Sequence, residues 1–222
     1  MISKVLSTLF LSLVFVTPAF AGLPLTIEGQ AGPGYIITKN KIYIVGEIGD
    51  PTLYNGLILA LDHCSEGSVD MYITSPGGNV ITMYELADAI KHSPCKVDMH
   101  VRGLAASAAA VIAISGNSLE MEEGSLLMFH NISMGDYASL NHIQQRANAF
   151  EKSMREYLEA NGSHVLTGKD INDIFEGKEV WITKKDLEAR QAQPTVVSAI
   201  QKARDFVENI RKASNAQETR AP

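Results

Sequence analysis

The run GLAASAAAVIAIS, Gly103–Ser115, constrains this chain most. Nearly every side chain in it is small and apolar, so a helix built from it has no polar face to offer water and belongs inside a core. The segment before it, KVDMHVRG, alternates Val97, Met99 and Val101 with Asp98, His100 and Arg102. That period of two is the pattern of a half-buried strand. A strand followed at once by a buried helix, expected from Ala105, implies a sheet with helices laid against it. One hydroxyl, Ser107, sits near the start of that helix.

The flanking sequence repeats the alternation. GYIITKNKIYIVG reads as two short strands around Lys39 and Asn40, and DPTLYNGLILALDHC as a helix with Asp50 as N-cap and Pro51 at the first helical position. SVDMYIT is a strand broken by SPGG. MYELADAI puts Met83, Leu86, Ala87 and Ile90 on one helical face, and SLLMFHN is a further apolar strand. In LNHIQQRANAFEKSMREYLEA the positions Leu140, Ile143, Ala147, Phe150, Met154 and Tyr157 form a narrow stripe of coiled-coil type, ended by Gly162. This helix either lies on its own domain or pairs with a neighbour. A short helix near Asp170–Phe175, the strand VWIT and another helix start follow, and beyond Gln191 the chain is mostly polar. The expected class is α/β with a largely parallel sheet and one domain.

The N-terminus differs from the rest. MISKVLSTLFLSLVFVTPAFA carries Lys4, an apolar run from Val5 to Val16 and the small-x-small ending Ala19-Phe20-Ala21. This is the form of a secretory signal cleaved after Ala21; the other reading, an uncleaved anchor, requires a longer run. The expected organisation is a signal peptide at 1–21, a folded domain at 22–190 and a polar helix or tail at 191–222, with a periplasmic or secreted destination. The net charge of −6, without a Lys/Arg cluster after the leader, argues against nucleic acid or an anionic membrane as partner. Two cysteines occur, Cys64 and Cys95. Export permits a disulfide between them, and two separated thiols are the alternative.

Three places could do chemistry. Ser107 at a helix N-terminus would sit in a positive local field beside unsatisfied N–H groups, with that of Ala108 able to bind an oxyanion. Equally, Ser107 can bond back to its own helix inside the core. In Ser75-Pro76-Gly77-Gly78 the glycines supply free N–H groups and unusual dihedrals, with Gly78 as a second oxyanion donor, or they make a plain turn. His130 ends an apolar strand and is either a base at a cleft or a structural histidine. No His/Cys cluster has metal-ligand spacing and no glycine loop matches a phosphate-binding motif.

Taken in order, SPGG, GLAAS, MFHN and EVWIT resemble the Clp protease proteolytic subunit (ClpP) family over about residues 40–190. The resemblance implies a ClpP/crotonase-like fold of repeated ββα units with a protruding handle helix, here residues 137–160, through which the chain would form a homo-oligomer. It implies a serine endopeptidase without a cofactor or metal, with Ser107 as nucleophile, His130 as general base and the N–H groups of Gly78 and Ala108 as oxyanion hole. The third triad place falls on Glu179, where the family has Asp, with Asp173 and Glu176 as nearby rivals. The family's closing Gly-Leu-Val-Asp-like strand is replaced by EARQAQPTVV. Members are normally fed by an ATP-driven unfoldase; an exported chain would have no such ATPase partner and would cut peptides or already unfolded proteins. Two rival readings share the fold: an inactive partner-binding scaffold, and a Ser–Lys enzyme of the signal-peptide-peptidase kind, for which no lysine is in an assignable position.

Overall fold

A computed structural model describes residues 27–32, 34–65, 67–133 and 139–192. The leader expected at 1–21 and nearly all of the tail expected at 191–222 lie outside the described residues. Eight strands form one mixed sheet. Strands β1 (Ile27–Gly32), β2 (Tyr35–Lys39) and β3 (Lys41–Val45) make an antiparallel meander. Strand β3 then pairs in parallel with β4 (Ser68–Ser75), and β4 with β5 (Lys96–Ala106). Strand β5 serves two partners, β6 (Ser118–Met121) along its first half and β7 (Leu126–Phe129) along its second. An antiparallel edge strand, β8 (Val180–Thr183), closes the sheet against β7.

The alternation seen in the sequence sets the two faces of this sheet. Val69, Met71 and Ile73 of β4 and Val97, Met99 and Val101 of β5 are buried. Helices α1 (Asn55–Asp62), α2 (Val80–His92) and α3 (Ala108–Ala113) pack on that side, with every residue of α3 buried. As expected, Asp50 caps the 3-10 turn Pro51–Tyr54 that leads into α1, accepting from the Thr52 N–H at 2.9 Å. The opposite face carries a row in direct register, Tyr43–Tyr72–His100. Its rings stack at 5.1 and 4.7 Å, and the Arg102 guanidinium lies 4.0 Å above Tyr72. Asp98 on the same face accepts from Ser68 and Ser118 at 2.5 and 2.6 Å. These bonds, that from Ser118 foremost, hold its carboxyl below the usual range.

One boundary differs from expectation. Ala105 and Ala106 belong to β5, not to the helix. They pair with Leu127 and Met128 of β7, and this ladder overrides the helix preference of alanine. A bulge just upstream makes the pairing possible. Register with β4 jumps from Ile73↔Val101 to Ser75↔Ala105, and Gly103 takes φ +71°, a left-handed value suited to glycine. The strand thereby turns from β6 to β7. The short strand β6, absent from the sequence reading, occupies the edge beside the first half.

Helix α4 spans Leu140–Asn161, and the expected start at 137 lies outside the described residues. Its stripe divides. Met154 and Leu158 are buried against the domain, whereas Ile143, Ala147 and Phe150 are only half-buried. The Tyr157 hydroxyl anchors the helix at 2.7 Å from the Ser115 hydroxyl. Helices α5 (Gly168–Phe175) and α6 (Lys184–Gln191) flank β8, each opened by a reciprocal capping box, Thr167/Asp170 and Thr183/Asp186.

Cys64, just after α1, and Cys95, just before β5, are joined by a disulfide with Cα atoms 5.7 Å apart. The bridge closes a separation of 31 residues, which corresponds to about 3–4 kcal/mol of denatured-state entropy. Replacing both cysteines by serine should lower the unfolding free energy by roughly that amount, less any relaxation, without changing secondary structure. Denaturant titration of the two proteins measures it; equal midpoints would show that the bridge contributes nothing.

Candidate active site

The site forms where β5 stops. Ser107 has φ +55° and ψ −123°, one of two non-glycine residues with positive φ among the described residues. Such a conformation costs on the order of 1–3 kcal/mol and persists where its surroundings fix it. Here three backbone bonds do so. The Ser107 N–H donates to the Met128 carbonyl at 2.8 Å, and its own carbonyl accepts from Ala110 and Val111 at 3.0 and 3.3 Å. Its side chain makes no capping bond to α3, so the reading in which Ser107 bonds back to its own helix has no support in the geometry. The turn places Ser107 at the head of a helix whose first residue, Ala108, presents a first-turn N–H.

Gly77 and Gly78 shape the space in front of that turn. A Cβ on Gly77 would lie 2.6 Å from the Ala106 carbonyl oxygen and 2.7 Å from Ser107 Cβ. A Cβ on Gly78 would lie 2.2 Å from the Ile48 carbonyl oxygen. The Ile48 N–H donates to Gly77 O and the Asn79 N–H to Ile48 O, both at 2.8 Å. In a parallel bridge of this kind the central residue's own N–H and C=O point the other way, and Gly78 lines the pocket that holds Ser107.

That pocket has a volume of about 160 Å³. Ser107, Ala108, Gly78 and His130 line it together, which unites four of the expected site residues. Its remaining wall is chiefly apolar: Val80 and Met83 from α2, Val111 from α3, Phe129 from β7, and Met154 and Leu158 from α4. Among the described residues no lysine lines it, and no group of three or more metal-ligating side chains occurs. The part played by α4 was not visible in the sequence, where Met154 read as one position of a helix–helix stripe. Burial of Met154 and Leu158 four residues apart was its only available sign.

His130 is half-buried, one residue beyond β7, with Nδ1 2.5 Å from the backbone carbonyl of Asn131. A carbonyl only accepts, so Nδ1 carries the proton and the lone pair of the neutral ring lies on Nε2. Glu179 is not brought to this ring. The β7–β8 ladder ends at Phe129↔Val180, so one further step runs Glu179 alongside His130, yet its carboxylate accepts from the Trp181 indole N–H at 2.9 Å. Trp181 is itself 48% exposed. The rival carboxylates are engaged elsewhere. Asp173 bonds Lys169 and Lys178, which hold its pKa below the usual carboxylate range, and Glu176 also bonds Lys178.

The fold and this juxtaposition define a class of protein, and comparison with known proteins gives the family. The sequence profile of the Clp protease family matches residues 33–191. Among curated relatives, the ATP-dependent Clp protease proteolytic subunit 2 of Corynebacterium glutamicum is 23% identical over 72% of this chain and 86% of its own length. The corresponding subunit 2 of Corynebacterium diphtheriae is 26% identical over 66% and 77%, and that of Chlamydia pneumoniae 27% identical over 64% and 72%. The chain belongs to the Clp protease family, and with it to the peptide hydrolases of ClpP/crotonase-like fold.

The cradle at Gly77 makes a specific demand. Gly77→Ala places its methyl against backbone atoms of the Ala106–Ala108 turn at a left-handed φ of +97°. It should destabilise the protein by about 1–3 kcal/mol and displace Ser107. Thermal unfolding together with labelling by a serine-reactive phosphonate checks this; a variant with wild-type melting and labelling would show that the turn does not depend on the vacancy.

Proposed function

We propose that this chain is an exported serine endopeptidase that works without an ATPase. One observation carries the chemistry: Ser107, on a positive-φ turn with a side chain that caps nothing, shares a single pocket with His130. In this reading Nε2 of His130 takes the Ser107 proton as Oγ attacks a peptide carbonyl. The N–H groups of Gly78 and Ala108 stabilise the oxyanion. His130 then protonates the leaving amine, and water, activated by the same ring, hydrolyses the acyl-enzyme. A triad completed by Glu179 is the form that the sequence motif supports, and it requires that carboxylate to leave Trp181.

The apolar wall supports a preference for a substrate residue of the Leu or Met type next to the scissile bond. Two observations support export: the leader-like first 21 residues and the Cys64–Cys95 bridge, which suits an oxidising compartment. Such a compartment supplies no ATP, so the substrates would be peptides or chains already unfolded. The half-buried apolar residues Ile143, Ala147 and Phe150 on α4 support a homo-oligomer joined along that helix. An inactive scaffold is the competing reading, favoured by the engagement of Glu179 with Trp181.

Ser107→Ala should abolish phosphonate labelling and peptide cleavage while leaving the fold intact, since one oxygen is removed. Wild-type protein should cut a fluorogenic peptide with Leu before the scissile bond faster than one with Asp. Cleavage undiminished in the alanine variant would reject the serine mechanism, and a wild-type protein inert to both probe and peptides would leave the scaffold reading in its place.

Assembly is tested separately. Glu at both Ile143 and Phe150 should dissociate the oligomer, whereas Met154, being buried at 5% exposure, would be a poor site for this test. Light scattering reads the result, and a monomeric wild type at micromolar concentration would remove the proposed seam.

A further inference from the structure

We propose that His130 is oriented by the backbone carbonyl of Asn131, and that Glu151 on α4, acting through the Asn131 side chain, is the positioning residue that holds that carbonyl in place. The inference rests on the peptidase reading of Ser107 and His130.

Every polar atom involved has a definite role. The His130 Nδ1–H donates to Asn131 O at 2.5 Å. Asn131 is clamped on both ends of its amide: Oδ1 accepts from the Ile132 N–H at 2.7 Å, and Nδ2 donates to Glu151 Oε2 at 3.4 Å. The first bond folds the backbone locally around Asn131, as short polar side chains do in turns. The second ties that fold to α4, which is anchored within the next two turns by the buried Met154 and Leu158 and by the Tyr157–Ser115 bond. A catalytic imidazole needs an acceptor on Nδ1 to keep Nε2 free for the nucleophile. Asn131 supplies one, while Glu179 spends its carboxylate on the Trp181 indole.

A neutral carbonyl fixes the tautomer but brings no full charge to the imidazolium that forms during attack. Glu151 places a carboxylate one side chain behind that carbonyl, bonded to the amide whose backbone holds the ring. Removing Glu151 should therefore impair the turnover step and spare substrate binding, since the Asn131 and Glu151 side chains do not line the pocket.

The test uses the full chain and its Glu151→Ala, Glu151→Gln and Asn131→Ala variants. Steady-state cleavage of a peptide should show kcat falling about tenfold in Glu151→Ala and in Asn131→Ala, with KM unchanged. Glu151→Gln, whose amide oxygen still accepts from Nδ2, should recover most of the loss. Imidazole 15N shifts at neutral pH supply a second readout: wild-type His130 should be the Nδ1–H tautomer, and Glu151→Ala a mixture of the two. Wild-type kcat and tautomer in Glu151→Ala would overturn the proposal. Should Glu151→Ala fail to fold, Asn131→Ala reports by the same two measurements. If wild-type Ser107 resists the phosphonate, the peptidase reading fails, and the tautomer shift still decides the orientation of His130.

Discussion

The contact between the vacancy at Gly77 and the backbone at Ser107 is the constraint around which this molecule is arranged. A strand cannot pass into a helix at Ser107 with positive φ unless the opposing chain comes close and yields space. The opposing chain is the turn after β4, and only a residue without Cβ fits there. Gly78 then meets Ile48 at a similarly close approach. The two glycines therefore hold three segments, around Ile48, Ser75 and Ser107, at backbone contact. This is also the arrangement that brings Gly78, Ser107 and Ala108 to the wall of one pocket, so packing at the glycines and the make-up of that pocket share one geometric origin.

Strand β5 connects that site to the rest of the sheet. Its first half lies in parallel register with β4 and β6, and its bulge at Gly103 redirects the second half onto β7. Because β7 ends at Phe129, one step beyond the Ala106↔Met128 pair, the same redirection brings His130 to the pocket that Ser107 lines. Helix α4 completes the enclosure from outside the sheet through Met154 and Leu158. It thus serves the site with one part of its length and leaves a half-buried apolar stripe on the other.

Sequence reasoning reached the elements more fully than their meeting points. The alternation in KVDMHVRG and SVDMYIT and the caps at Asp50 and Gly162 lay in local periods and residue types, and the structure bears them out. Strand β5 runs to Ala106, three residues past the Gly103 at which the alternation stops, because alanine favours helices and its pairing with β7 is non-local. Of the pocket's lining, Gly78, Ser107, Ala108 and His130 were nameable from motif order. The bond from His130 to Asn131 was not, since a main-chain acceptor leaves no trace in residue type. Nor was the Glu151–Asn131 contact, which joins positions 20 residues apart through tertiary packing. Glu179 illustrates the opposite limit: spacing and strand register bring it beside His130, but register fixes backbones, and the indole of Trp181 decides where the carboxylate goes.

The disulfide and the site occupy opposite ends of the same strand. Cys95 immediately precedes β5 and Ser107 immediately follows it, so the whole length of that strand, 11 residues, separates the bridge from the nucleophile. A crosslink placed there acts on the denatured chain and on the base of the sheet, not on the geometry of the pocket. Reduction is accordingly expected to lower stability while leaving the folded fraction's kcat and KM intact. Stability and activity measured in parallel under increasing dithiothreitol separate the two effects. Activity that falls before any unfolding would mean that the bridge strains the site through β5, and would contradict the picture of a strand rigid enough to insulate one end from the other.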